Sequence, residues 1–179
     1  MGDPKKPRKQ YSRPRSPWRG DQLAQELYTL GTFGLRNKRE LWRAQTVLSS
    51  VRKQARTLLA ATEAVRLREE PKLLASLRRR GLTKEGATLD DILSLTVEDV
   101  LARRLQSMVF KKGFAVSPLH ARQLITHGHV SVGERKITVP GYMVESQEED
   151  SLAVKGNSQA PQPEQPAPPA EAVAEAIQK

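Results

Sequence analysis

The chain has 179 residues, a formal net charge of +10 and no cysteine, which removes disulfides, thiolate chemistry and thiolate zinc sites together and leaves a body that attracts polyanions. A mean hydropathy of −0.58 means that much of the length is surface or depends on a partner for order. No apolar run approaches the length of a spanning helix and no signal-peptide pattern opens the chain, so the expectation is a soluble, cytosolic protein without membrane contact.

Charge is unevenly placed. Residues 1–144 hold 28 basic and 13 acidic side chains, whereas residues 145–179 hold 2 and 7. The first twenty residues, MGDPKKPRKQYSRPRSPWRG, carry prolines at 4, 7, 14 and 17, a spacing that no helix or packed strand survives, so an extended arm is expected. Tyr11 and Trp18 alternate there with Arg13, Arg15 and Arg19, which suits stacking on exposed bases beside phosphate contacts. A leader that only keeps the protein soluble is the other reading of the same composition.

From Asp21 the pattern turns helical. Leu23, Leu27 and Leu30 share a face and Gly31 ends it. Asn37 with Glu40 three residues on has capping-box spacing, and Leu41, Ala44, Leu48, Val51, Ala55 and Leu58 then recur at intervals of three and four. That is an amphipathic helix of roughly seven turns, begun by Arg36, Lys38 and Arg39 and carrying Arg43, Arg52, Lys53 and Arg56 on its other face. Pro71 fits the start of a further helix, with Arg78, Arg79 and Arg80 in its last turn, where cations meet the helix dipole favourably, and Gly81 behind them. Three adjacent arginines point in different directions round a helix, which leaves at least one for RNA. Thr88 with Asp91 and Thr96 with Asp99 repeat the capping-box spacing.

The segment TVEDVLARRLQSMVFKKGF places Val97, Leu101, Leu105 and Met108 at helical spacing and leaves Arg103, Arg104, Lys111 and Lys112 for a solvated surface. In SPLHARQLITHG, Ser117 caps, Pro118 fits the first helical position and Gly128 suits a left-handed stop. Ala121, Leu124, Ile125 and Gly128 form one face of this helix; His120, Gln123 and His127 form a polar strip, with Arg122 on a flank. HVSVGERKITV, beginning at His129, alternates about a Gly-containing turn as a hairpin does. Arg104 and Lys111, Arg122 and Lys136 can converge on a sugar-phosphate backbone, which requires cations at phosphate spacing.

The string HARQLITHGHVSVGERKITVPGYMV resembles the S-four RNA-binding domain. Ala121, Arg122, Gln123, His127, Gly128, His129 and Val130 stand in the ARQ and HGH-plus-aliphatic positions, and Pro140 and Tyr142 in the Pro-x-Tyr position. The turn departs from the family's Asn-Gly-Lys: Glu134 is a poor phosphate neighbour, although Arg135 and Lys136 stand beside it. PRSPWRGDQLAQELYTLGTFGLRNKRELWRAQ and LDDILSLTVEDVLARRLQSMVFKKGFA extend the likeness over residues 1–155 to the archaeal and eukaryotic branch of the small-subunit ribosomal protein four family. The resemblance implies a structural ribosomal protein. It would bind small-subunit ribosomal RNA at a multi-helix junction, assemble early, and lie near small-subunit proteins three and five and the messenger RNA where it enters the subunit.

No P-loop, Gly-x-Ser-x-Gly or HExxH is present, so no enzyme is expected. Neither a metal nor a cofactor is expected, because His120, His127 and His129 lack a carboxylate at ligand spacing on the same helix. A free RNA chaperone or an RNA-modifying relative with the same domain is the alternative; the long helical first half, without a catalytic motif, favours the ribosomal reading. The expected fold is α+β: a mainly helical lobe at 21–95 packed on an S-four-like domain at 96–155 of two helices plus a small antiparallel sheet. An extended basic arm at 1–20 precedes them and an acidic disordered tail at 156–179 follows. The absence of a Gly, Ser or Pro spacer makes the two halves packed lobes, and no homo-oligomer is expected.

Overall fold

A computed structural model describes residues 9–155; the expectations for residues 1–8 and for the tail from 156 fall outside the described residues. Helix α1 spans Gly20–Thr32, α2 Lys38–Leu59, α3 Glu63–Arg79, α4 Leu89–Ser94, α5 Val97–Ala102, α6 Leu105–Lys111 and α7 Pro118–Thr126. Strands β1 (Val130–Val132), β2 (Arg135–Lys136) and β3 (Leu152–Val154) form an antiparallel sheet in the order β2-β1-β3.

The long helix α2 is the spine, because its apolar stripe serves two clusters in succession. Leu41, Ala44 and Leu48 pack with Leu35 and with Val100 and Leu101 of α5. One turn on, Val51 and Ala55 pack with Leu77 of α3 and with Leu89 and Ile92 of α4. A third cluster joins Leu105, Met108 and Val109 of α6, Ala121 and Ile125 of α7, and Val130, Val132 and Leu152 of the sheet. Local chemistry sets several boundaries as the sequence requires. Thr88 with Asp91 and Thr96 with Asp99 form reciprocal capping boxes, Ser117 accepts from the His120 amide with Pro118 at the first position of α7, and Gly128 ends that helix at a φ of 75°.

Elsewhere long-range contacts override the local pattern. Pro71 does not begin a helix but lies within α3, exposed to solvent; a proline there withdraws the donor that would reach the Leu67 carbonyl. Gly31 lies inside α1, and Leu27 of the expected apolar face is 61 % exposed. The residue that α1 buries is Glu26, which accepts from Trp42 Nε1 at 3.1 Å and pairs with Lys38 Nζ at 3.0 Å. Lys38 is therefore tied to its own lobe. Arg52 also departs from the expected solvated face. It stands four residues after Leu48 and three before Ala55, on the core side of α2, and donates to the Leu95 carbonyl. Tyr11 does not stand free for base stacking, because its ring lies 5.9 Å from that of Trp42 and the Ser12 amide donates to Thr46 Oγ1 at 2.9 Å.

The continuous helix expected through 97–111 is broken at Arg103 and Arg104. Arg104 is extended (φ −71°, ψ 144°) and forms an antiparallel bridge with Met143. The first amides of α6 find partners outside the helix, Leu105 at the Tyr142 carbonyl (2.8 Å) and Gln106 at that of Pro140 (3.4 Å), so the segment before Val144 does the work of a cap. The break is also held from the helical lobe. Glu40 does not close a capping box with Asn37, whose side chain makes no capping bond; it receives Arg104 Nη2 at 2.7 Å and Arg122 Nη2 at 2.8 Å instead. Arg122 Nη1 reaches both Glu40 Oε2 and Gln106 Oε1 at 3.3 Å, a forked grip. Buried Gln106 donates to the carbonyls of Gly34 and Pro118, each at 2.9 Å. One carboxylate thus joins α2, the break and α7.

Burial of Glu40 opposes its ionisation, but the hydrogen bonds and charges of Arg122 and Arg104 outweigh it and hold the carboxyl below the usual range. Its ionised form therefore belongs to the folded state more than to the unfolded one. The stability that it contributes is complete above the ordinary carboxylate pKa and is lost as pH falls through the lowered folded value. Glu40→Ala is expected to cost about 2–3 kcal/mol in urea unfolding at neutral pH and to remove that part of the acid sensitivity; an unchanged midpoint would show that the network is not a structural tie. Pro71→Ala should raise stability by about 1–3 kcal/mol by restoring a helical donor. A midpoint that stays put or drops would mean that α3 depends on proline at this position.

Candidate nucleic-acid interface

The candidate interface is the set of cations that, among the described residues, the architecture leaves unpaired and open to solvent. Arg103 and Arg104, expected on a solvated surface, are largely withdrawn from water. Arg103 donates to the Arg80 carbonyl at 3.2 Å, to Glu149 at 2.9 Å and to the Val144 carbonyl at 3.2 Å. It lies so close against Gly81 that a Cβ there would meet the guanidinium at 2.5 Å. Lys112 donates to the Glu149 carbonyl, Arg79 pairs with Glu145 at 3.5 Å and Arg78 with Glu85. The acidic stretch after Val144 accordingly faces the end of α3 and the Arg103 break. Tyr142 belongs to the same cluster. Burial first, and then its hydrogen bonds to Glu148 at 2.8 and 2.9 Å, push the phenol pKa up, so it stays a donor.

What remains is exposed. On α2 and just before it, Arg36, Arg39, Arg43, Lys53 and Arg56 are open to solvent, as are Arg80 after α3 and Lys111 at the end of α6. Arg39, Arg43 and Lys53 lie on one side of α2, spread over roughly 21 Å of helix. Gln123 on α7, His127 at its C-cap and His129 beyond it are exposed, with the two imidazole rings 6.5 Å apart. Arg135 and Lys136 are exposed in β2 rather than in the turn itself, which is Gly133–Glu134. Lys136 folds back over Gly128, where an added Cβ would overlap its side chain, so its charge stands beside the histidine pair. His120 is half-buried, its Nδ1 accepting from the Val116 amide at 3.4 Å. Because Glu40 meets Arg122, the arginine-bearing start of α2 is brought against α7, and the two sets of cations adjoin at the lobe boundary.

In the described part of the arm, Arg13, Arg15 and Arg19 are exposed and Trp18 is 87 % exposed. Among the described residues no group of three or more His, Asp or Glu stands close enough to hold a metal ion, and no helix is long and apolar enough to cross a membrane. Sequence reasoning missed Glu40 and Gln106, the two groups that set the lobe geometry. Their partners lie on elements distant in the chain, and a single sequence carries no sign of the pairing.

Two family models match the chain in succession. The family model described as the Ribosomal protein S4/S9 N-terminal domain matches residues 5–102, and the S4 domain matches residues 103–150. The chain is 53 % identical to small ribosomal subunit protein uS4 of Ignicoccus hospitalis over 152 residues, covering 85 % of this chain and 92 % of that protein. Against the protein of the same name from Nitrosopumilus maritimus the identity is 51 %, covering 90 % of this chain and 81 % of the relative. For that of Thermoplasma volcanium it is 50 %, covering 88 % and 80 %. With both halves matched in order and the break between the two matches falling at the Arg103 hinge, the chain belongs to the uS4 family of small ribosomal subunit proteins.

Proposed function

We propose that this chain is a structural, non-enzymatic constituent of the small ribosomal subunit that binds its ribosomal RNA at a junction of several helices. The observation that carries the reading is the division of its cations, one set neutralised to fix the lobes and another left open across both. RNA helices brought together at a junction repel one another through their phosphates, and a rigid surface with cations on two lobes lowers that repulsion by releasing counterions. Recognition of this kind reads shape and backbone more than sequence. Gln123, His127 and His129 add donors, and Trp18 offers a face on which an unpaired base can stack.

Within the subunit we place the protein as an early-binding clamp, beside small-subunit proteins three and five and close to where messenger RNA enters. The arm at 1–20 would extend the contact from the helical lobe at 21–95, whereas the domain at 96–155 would hold the junction and the acidic tail would stay clear of it.

Two expectations test the reading. The logarithm of affinity for small-subunit ribosomal RNA should fall linearly with the logarithm of salt concentration, at a slope worth roughly five or more phosphates. Replacing Arg39, Lys53, Lys111 and Lys136 together by glutamine should make that slope shallower by about three to four contacts while leaving the unfolding midpoint within about 0.5 kcal/mol. A wild-type slope of only one or two contacts would sink the clamp. For the arm, Trp18→Ala should weaken binding by about 1–3 kcal/mol; equal affinity in a filter-binding titration would remove the stacking role.

A further inference from the structure

Between the lobes lies a cleft of about 260 Å³, bounded on one side by Glu40, Arg43, Ala44 and Val47. These positions recur at the three- and four-residue intervals that put them on one face of α2. Leu82, Val100 and Met143 complete an apolar floor; Arg80, Arg104 and Glu145 stand at its rim. The rim charges are not equivalent. Arg104 and Glu40 neutralise each other and Glu145 is paired with Arg79, whereas the side chains of Arg43 and Arg80 are exposed and make no ion pair or hydrogen bond with other described residues.

We propose that this cleft takes the base of one unstacked ribonucleotide, with Arg43 and Arg80 holding the phosphates on either side of it. The inference rests on the RNA-binding reading above and deepens it to a base-accepting site. The volume is below the roughly 300–1,000 Å³ of sites for drug-sized ligands, which suits a single flat ring system. Met143 brings a polarisable sulfur against that ring, and Val47 and Leu82 replace the neighbouring bases that it leaves. Single-stranded junction nucleotides are the ones whose bases can be splayed out, and a planar guanidinium at each flank matches phosphate geometry. Glu145 at the rim accepts from an exocyclic amino group, which favours a base that carries one. The Glu40 network keeps the site open by fixing both walls.

The chain contains no cysteine, so Met143→Cys gives a single thiol in the cleft floor and Val47→Cys one in the opposite wall. In the complex of the full chain with protein-free small-subunit ribosomal RNA, its formation verified by gel shift, alkylation of either thiol should slow at least tenfold. Attaching a bulky maleimide to it beforehand should weaken RNA binding by about tenfold, the order of one lost base contact. Base-specific chemical probing should then show one nucleotide shielded by the unmodified protein and exposed by the alkylated one. An equally reactive thiol in a complex that demonstrably forms would overturn the cleft proposal and leave the RNA reading standing. Protection that arises only when other small-subunit proteins are added would assign the cleft to a protein side chain and overturn it too. No complex with RNA at all would overturn both.

Discussion

The carboxylate of Glu40 is the point on which the relation of the two lobes depends. It lies at the start of α2, on the helical lobe, and holds Arg104 at the chain's hinge and Arg122 on α7 at the same time. A charge pair of this burial offers a modest net gain, since desolvation offsets much of the attraction. Its consequence is geometric. An apolar contact between the lobes would tolerate sliding, whereas a forked guanidinium on a carboxylate has one good arrangement. Gln106 adds a second constraint, because its amide bridges the carbonyls of Gly34 and Pro118 from opposite lobes. At Gly34, a Cβ would stand 2.7 Å from that of Pro118, so the lobes approach too closely there for any larger residue.

That constraint explains how so basic a chain folds without its charges pushing it apart. The cations with the least exposure are paired within the protein. Arg104 and Arg122 share Glu40, Arg103 takes Glu149, and Lys38 takes Glu26. Arg39, Arg43, Lys53 and Arg56 of α2, Gln123 and His127 at α7 and Lys136 of β2 meet solvent, whereas Arg52 is held by the Leu95 carbonyl. Counting lysines and arginines therefore overstates the cationic surface that meets solvent, and sorting them by partner delimits it. The same sorting singles out Arg43 and Arg80, unpaired at the mouth of an otherwise neutralised cleft.

Much of the fold was legible because much of it is local. The stripe along α2, the two Thr-to-Asp capping boxes and the Ser117, Pro118 and Gly128 punctuation of α7 depend on residues within a few positions of one another, and all stand as the spacing requires. Where the pattern misled, the deciding partner was far away. Glu40 looked like the third residue of a capping box, yet its partners are 64 and 82 positions distant. Arg103 and Arg104 sat in an unbroken helical period, but the segment up to Val144 captures them and splits the helix. Strand β3 has no turn signal joining it to the hairpin, and it pairs with β1 through a connection that runs past the acidic stretch. Pro71 shows the opposite case: the packing of Leu73, Leu74 and Leu77 with Val51, Ala55, Leu89 and Ile92 carries α3 through a residue that ordinarily ends a helix.

The central claim is that one rigid arrangement of two lobes, fixed before RNA arrives, presents both sets of cations. Residual dipolar couplings for backbone amides of α2 and α7 measure that arrangement in solution. If the Glu40 network sets it, the couplings of both helices fit a single alignment tensor in the free protein and again in the RNA complex, with the same interhelical orientation. Two tensors in the free protein, or an orientation that changes when RNA binds, would contradict the account.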